Sequence, residues 1–565
     1  MNALTHTPSS PGPGGGSRAV GGGVATTGWW SGTDADRISG ESGLATALGD
    51  IRRPVYVIRP SPDGVGVAQG GTVRLGAGIE AEPGEVPLTG HALPCRMEQL
   101  GDPAFRAAHG VSFNCVAGAM ANGIASVELV EAMSRAGMLA FFGSAGLSLR
   151  AVEAAIDRLA TSLGDGPFGM NLIHSPNEPG LERDVVDLYL RHGIRLVEAS
   201  AYMQLTLPLV RYRVHGIHRN ADGEVVTPNR VVAKVSRVEV GSRFFSPPPE
   251  TILEELVAGG AITEAQARLA REIPMAEDLT AEADSGGHTD NRPALGLLPT
   301  LIALRDRMQR EYGYRRPLRV GAAGGIATPQ AAAAAFAMGA AYVLVGSVNQ
   351  SCVEAGTSDA VREMLAQAEQ ADVAMAPAAD MFEMGVKVQV LKRGTMFAMR
   401  AARLYELYRT YDAYESIPAA EREKLERTFF RAPLEQILAE VRGYFLERDP
   451  AQWQRAETDP KHRMALVFRW YLGQTSRFAN RGDPARKLDY QVWCGPAMGA
   501  FNAWVDGSFL AEAKQRSVVT VAMNLLYGAA VLARVQALRS QGVVLGPAEE
   551  RVDPQPLETL RRHLR

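Results

Sequence analysis

Cysteine is scarce in this chain of 565 residues, and the four present, Cys95, Cys115, Cys352 and Cys494, lie far apart with no CxxC pair. That spacing argues against a disulfide-built scaffold and against the usual zinc arrangements, so reduced thiols in a cytoplasmic protein and no bound metal are expected. An excess of charge of one sign is also missing: 59 basic side chains face 62 acidic ones, for a net charge of −3. Without a global field, neither nucleic acid nor an anionic membrane surface is an expected partner. Several catalytic signatures are absent: no GxGxxG after a strand, no GxxxxGKS or GxxxxGKT, no HExxH and no GxSxG. Rossmann dinucleotide binding, P-loop phosphoryl transfer, zincin proteolysis and α/β-hydrolase chemistry therefore lose support.

Long apolar runs are few. Residues 331–348 are interrupted by Gly339, and residues 517–538 carry Thr520, Asn524 and Arg534. Both suit packed elements better than membrane spans. The start, MNALTHTPSSPGPGGGSRAVGGG, lacks the basic residues and apolar stretch of a secretory signal. Residues 1 to about 40, rich in Gly, Pro and Ser, have little to bury and are expected to form a disordered leader.

What the chain does have is apolar material, 46% of its residues, over a length well beyond the roughly 250 residues of a single TIM barrel. Short runs such as VYVIRP and GTVRLGAGIE mark residues 41–105 as a small β-rich N-terminal region. From Val111 onward, short apolar runs alternate with alanine- and leucine-rich helical stretches. The predicted strands are Ser112–Val116, Leu139–Phe142, Phe168–Leu172, Leu196–Ala199, Val231–Val235, Ala276–Ala283, Arg319–Ala322 and Tyr342–Val345. Strands alternating with helices pair in parallel, and eight such units close into a (β/α)8 barrel, here expected over residues 106–357. A helical excursion is expected at about 240–274, a helical appendage domain over 358–540 that packs on the barrel, with room to cover its mouth, and a C-terminal tail over 541–565.

A barrel of this kind does its chemistry at the C-terminal ends of its strands. After the first strand come Ala117, Gly118, Ala119 and Met120, small enough to let a flat ring lie against the backbone. Asn171 ends the third strand, and Lys234 ends the fifth as a cation able to sit by an electron-rich ring. The sixth leads into Asp284-Ser285-Gly286-Gly287-His288. Gly324 and Gly325 follow the seventh strand, and Gly346 and Ser347 the eighth. Loops in those two places commonly bind phosphate through backbone N–H groups, although Gly-Gly turns also simply end strands. Among ten histidines, His288 follows two glycines at a predicted strand end, facing the mouth, where an imidazole can donate a proton; His215 and His218, spaced like metal ligands, have no third ligand nearby.

The segments FNCVAGAMANG, FGMNLI, EADSGGH, GAAGGIATPQ and VGSVNQ resemble the flavin barrels of the nitronate monooxygenase family and related enoyl reductases. DMFEMGVKVQVLKRGTMFAMRAARLYELY, RWYLGQTSRFAN and DYQVWCGPAMGAFNAW resemble a narrower group, the trans-acting enoyl reductases of PfaD type found with polyunsaturated-fatty-acid and trans-acyltransferase polyketide synthases. The resemblance implies FMN as cofactor, NADPH or NADH as electron donor, and an enoyl thioester on an acyl carrier protein as substrate. It places Gly118 and Met120 against the flavin ring, with Ala117 and Ala119 also cofactor-binding, and Asn171 and Lys234 at its polar edge. Gly286 and Gly287 would line the cofactor, and Gly324, Gly325, Gly346 and Ser347 would hold its phosphate. His288 matches the histidine of the GGH motif. Synthase components are the implied partners, with room for a homodimer, and Lys387, Lys392, Arg393 and Arg400 are candidates for meeting an acidic carrier. Two rival readings stay open: a nitronate-type flavin oxidase on the same barrel, and a non-catalytic barrel serving as a scaffold.

Overall fold

The computed structural model describes residues 26–39, 42–61, 64–76, 78–174 and 179–564. Contacts divide the chain into two compact units: residues up to Pro94 with Arg534–Glu550, and Cys95–Ala533 with Arg551–Arg565.

The first unit is an antiparallel sheet of six strands in the order Arg37–Ile38, Gly64–Ala68, Val55–Ser61, Val86–Ala92, Gly28–Ser31, Thr72–Leu75. Trp30, Ile58, Ala68 and Leu88 form its apolar core, and the Trp30 indole donates to Gly70 O at 2.8 Å. The expected leader is therefore too long, because Gly28–Ser31 and Arg37–Ile38 are strands; its first 25 residues lie outside the described ones. The indole of Trp30 supplies the buried surface that a Gly/Ser/Pro count overlooks.

The second unit is built on a closed barrel of eight parallel strands. In chain order these are Cys115–Ala117, Leu139–Phe142, Gly169–Ile173, Leu196–Ser200, Arg230–Val235, Asp278–Glu282, Arg319–Ala323 and Val343–Val345. All eight overlap the predicted strands. Hydroxyl caps start the helices between them: Ser126, Ser148, Thr206 and Thr328 each accept from a backbone N–H in the first helical turn. The excursion after the fifth strand consists of helices Val238–Phe245, Glu250–Ala258 and Glu264–Ala270.

The bottom of the barrel is closed. Phe105, from helix Pro103–His109, stacks on Tyr342 with ring centroids 4.2 Å apart, and the Tyr342 hydroxyl shares a 2.7 Å hydrogen bond with Thr280. A Cβ at Gly321 would stand 2.3 Å from the Tyr342 ring, so glycine there makes room for the tyrosine. Beside it Asp278 takes two hydrogen bonds from the Arg319 guanidinium, at 2.6 and 2.8 Å, and one from His109 at 2.9 Å. This buried, fully paired cluster leaves only the opposite end of the barrel for a ligand.

Beyond the eighth strand the appendage is mostly helical, around a core that includes Phe382, Phe397, Leu404, Phe430, Val441 and Phe468. It is not helical throughout. Val373–Pro377 and Lys387–Leu391 pair as antiparallel strands, and Lys387–Leu391 also pairs with Gly287–His288. The alternation in KVQVL is a strand pattern, masked in the sequence by helical segments on either side. The C-terminal tail also has structure, with helices at Pro547–Glu550 and Leu557–Arg561 and with Val552 and Leu560 buried.

Candidate active site

The barrel mouth is built by strand register. Ala322 pairs with Val343 and Ala323 with Leu344, and Gly325 and Gly346 each follow two residues after the last of these pairs. Both face open space: a Cβ at either would meet nothing within 4 Å. Gly325 has φ +81°, a conformation glycine adopts without strain, and Gly324 before it turns at φ +80° with its α-carbon face against the Ala283 carbonyl. Ser347 opens the short helix Ser347–Gln350, and its hydroxyl accepts from Gly495 N at 3.1 Å.

Inside the mouth a charged layer crosses the fourth, fifth and sixth strands. Lys234 Nζ lies 3.3 Å from Glu282 Oε1 and 3.9 Å from Glu198 Oε2. The two carboxylates outweigh burial and keep the lysine charged, above its ordinary range. Glu198, which sequence reasoning missed, is fully buried, and its Oε2 accepts from Ala119 N at 3.0 Å. Burial pushes its carboxyl up to about 7, against Lys234 and the Ala119 amide and with help from Glu282. The available signal was a glutamate in the otherwise apolar strand LVEAS.

His288 stands at the rim with its side chain 37% exposed, and its Nε2 lies 3.2 Å from Asp380 Oδ1. Burial alone would lower its pKa; the hydrogen bond and charge of Asp380, aided by Glu282, prevail and hold it above the ordinary value. Asp380 lies between the appendage strands Val373–Pro377 and Lys387–Leu391, so the histidine comes from the barrel and its partner from the added domain.

The appendage ties down three mouth loops. Gln389 Nε2 donates to Asp284 Oδ1 and Ser285 O, both at 2.8 Å. Asn122, in the first-strand loop, donates to Ser476 Oγ at 3.1 Å, and Gly495 reaches Ser347 as described. Sequence reasoning missed Asp380, Gln389 and Gly495 as site-building residues because they lie roughly 90 to 150 positions from what they hold in place.

Some expected contacts are used differently. A Cβ at Gly286 would stand 2.9 Å from Cys494 N, so this glycine accommodates the 494–495 backbone, whereas Gly287, at φ +82°, has open space. The open side of Gly118 is filled by Leu344, with side-chain atoms 2.5 Å from where a Cβ would be. Ala117 is buried in its strand, Ala119 offers its amide to Glu198, and half-buried Met120 is at the turn. The Asn171 amide donates to Glu198 O and Ser200 Oγ, both at 3.1 Å, which commits its N–H groups to the barrel wall. Of the basic residues, Arg400 is bonded to Asp489 and lies over the Phe429 ring, and Arg393 pairs with Glu369 and Asp372; Lys387 and Lys392 are exposed. His215 and His218 are exposed, and no group of three metal-ligating side chains occurs among the described residues.

These residues fit a phosphorylated planar heterocycle such as FMN. Gly325 and Gly346 each leave open space after a strand, Lys234 offers a cation, and Glu198 Oε1 and Ser285 Oγ are buried without hydrogen-bond partners among the described residues.

The sequence model of the nitronate monooxygenase family matches residues 103–419, and that of the inserted helical domain of acyl-carrier-protein S-malonyltransferase matches residues 411–490. A polyunsaturated fatty acid synthase subunit from Thraustochytrium sp. is 50% identical over 454 residues, covering 79% of this chain and 30% of that protein. Polyketide biosynthesis protein PksE of Bacillus subtilis is 47% identical over 436 residues, covering 77% of this chain and 56% of that one. The chain thus spans 30% to 56% of the length of these curated relatives. Among solved structures, the enoyl reductase domain of MlnA from the macrolactin biosynthesis cluster of Bacillus amyloliquefaciens is 39% identical, with a TM-score of 0.74. The match covers 78% of this chain and 99% of that domain.

Proposed function

The chain belongs to the nitronate monooxygenase family, and from that premise we propose that it is a flavin-dependent enoyl reductase acting in trans within a polyketide or polyunsaturated-fatty-acid synthase. The observation that carries this reading is the presence, at the C-terminal ends of the barrel strands, of open space at Gly325 and at Gly346, the cation of Lys234 and the rim imidazole of His288. The likeness to an enoyl reductase domain, matched over 99% of its length, favours this reading over a nitronate-type oxidase. It also favours it over an idle scaffold.

In this proposal the backbone amides of residues 324–325 and 346–347 hold the phosphate of FMN, Lys234 faces its polar edge, and the first-strand loop supports its ring. When bound, FMN supplies a two-electron relay from NADPH or NADH to the β-carbon of an enoyl thioester carried by an acyl carrier protein. His288 delivers the matching proton to the α-carbon, so that one hydride and one proton add across the double bond. Asp380 keeps the imidazolium charged, and the exposed side of the ring regains its proton from water. The carrier protein and other synthase components are the proposed partners, in the cytoplasm, with Lys387 and Lys392 left as the basic residues available to an acidic carrier.

Replacing His288 with Ala tests the assignment. Turnover of an enoyl thioester is expected to fall by about 10²- to 10⁴-fold with FMN still bound, whereas unchanged turnover would remove His288 from the mechanism. Reoxidation of the reduced protein by oxygen faster than by a crotonyl thioester would favour the oxidase reading instead.

A further inference from the structure

We infer that Glu198 is the proton-bearing member of a three-residue charge group, Glu198–Lys234–Glu282, and that by holding or releasing this proton it sets the charge the barrel mouth offers to an electron-rich heterocycle. The inference deepens the proposed function and rests on it.

The geometry leaves one cation for two carboxylates. Lys234 Nζ is nearer to Glu282, at 3.3 Å, than to Glu198, at 3.9 Å. Glu282 keeps a quarter of its side chain in contact with solvent, while Glu198 has none. Of the Glu198 oxygens, Oε2 has the Ala119 amide and the lysine, but Oε1 is buried with no hydrogen-bond partner among the described residues. A carboxylate with a bare oxygen in a dry interior is costly, and protonation removes that cost. The groups facing it agree: Lys234 from the fifth strand and the Ala119 amide from the first-strand loop favour the ionised form, while burial and Glu282 from the sixth oppose it and prevail. The Tyr342 hydroxyl, from the residue before the eighth strand, remains protonated and adds no charge.

With the proton on Glu198, Lys234 and Glu282 cancel and the group is neutral. Without it the group carries one negative charge directly beneath the loop of residues 118–120. A ligand that presents electron density there binds better to the protonated form, and by reciprocity its binding raises the affinity of Glu198 for the proton. Glu198 is thus a positioning residue acting through Lys234. A ligand with lone-pair atoms on a flat ring is the class the arrangement selects.

Binding of FMN to the flavin-free protein, followed by fluorescence quenching between about pH 6 and 9, tests this. In the wild type Kd is expected to rise as pH climbs through about 7, by at most roughly tenfold per pH unit. Glu198→Gln, which mimics the protonated side chain, should show a shallower slope and keep the tight binding seen at low pH. The phosphate of FMN gains charge over the lower part of the range in both proteins, so the difference between them is the readout. Repeating the pair with His288→Gln removes the contribution of the imidazole. Equal slopes in wild type and Glu198→Gln would overturn the inference while leaving the proposed function intact; failure of FMN to bind at any pH would overturn both. Infrared spectra of the flavin-free protein give a second measure. A carboxylic-acid band present at low pH, lost at high pH and absent from Glu198→Gln is expected, and no such band at low pH contradicts the assignment.

Discussion

Burial works against the proton on His288, and the hydrogen bond and charge of Asp380 together, aided by Glu282, hold it there. A raised pKa keeps the imidazolium populated to higher pH, so removing the aspartate's charge should cause that form to be lost at lower pH. For Asp380→Asn the alkaline limb of the rate profile with an enoyl thioester is expected to move to lower pH, with a several-fold loss near pH 8 and little change near pH 6. Asp380→Glu should restore part of the limb. A profile unmoved by Asp380→Asn would show that the pair does not govern proton delivery. His288 was legible in the sequence because it follows two glycines at a strand end; Asp380 and Glu198 were not. A single acidic residue in a turn or strand carries no local signal of what lies across the fold from it.

The eight strands were readable because each is a short apolar run between helical stretches of matching length, and a parallel barrel repeats that unit regularly. The strands of the appendage escaped notice because Val373–Pro377 and Lys387–Leu391 complete a sheet with only two residues of the barrel unit, Gly287 and His288. The loops after the seventh and eighth strands stood out by their glycines, and Gly325 and Gly346 do face open space. Gly286 and Gly118 admit a neighbouring backbone and a leucine, a use that looks the same in sequence as admitting a ligand. The two uses can be separated by experiment. Gly286→Ala would place a Cβ 2.9 Å from Cys494 N and displace the 494–495 segment, for a loss of about 1–3 kcal/mol in denaturant unfolding together with weaker FMN retention. Gly287→Ala meets no neighbour and should cost only the strain of its φ of +82°, about 1 kcal/mol. Equal behaviour of the two variants would argue that the appendage does not brace the mouth.

Across the whole chain, residues hundreds of positions apart are brought together. Helix Val518–Ser540 is long and apolar enough to cross a membrane by length and composition, yet 83% of its most apolar window is buried within the protein. Its Arg534 is buried and donates to the carbonyls of Ala47, Leu48, Asp50 and Arg53, from 481 to 487 positions away. Arg534→Met would leave those carbonyls without the guanidinium, and a loss of about 3 kcal/mol or more is expected from the N-terminal unit, visible as earlier unfolding or proteolysis there. An unchanged protease pattern would contradict that role. This link was beyond sequence reasoning, which saw Arg534 only as a residue unsuited to a membrane span.

We propose that the barrel mouth uses a bound flavin to reduce enoyl thioesters. This is tested most directly by reducing the purified protein with NADPH under anaerobic conditions, adding an enoyl acyl carrier protein and weighing the acyl product by mass spectrometry. A yellow protein that NADPH bleaches, recovery of the oxidised spectrum on adding the enoyl substrate, and a product heavier by two hydrogens are expected. A protein without flavin, or one that is reduced and then reoxidised only by oxygen with the enoyl group unchanged, would contradict the proposal.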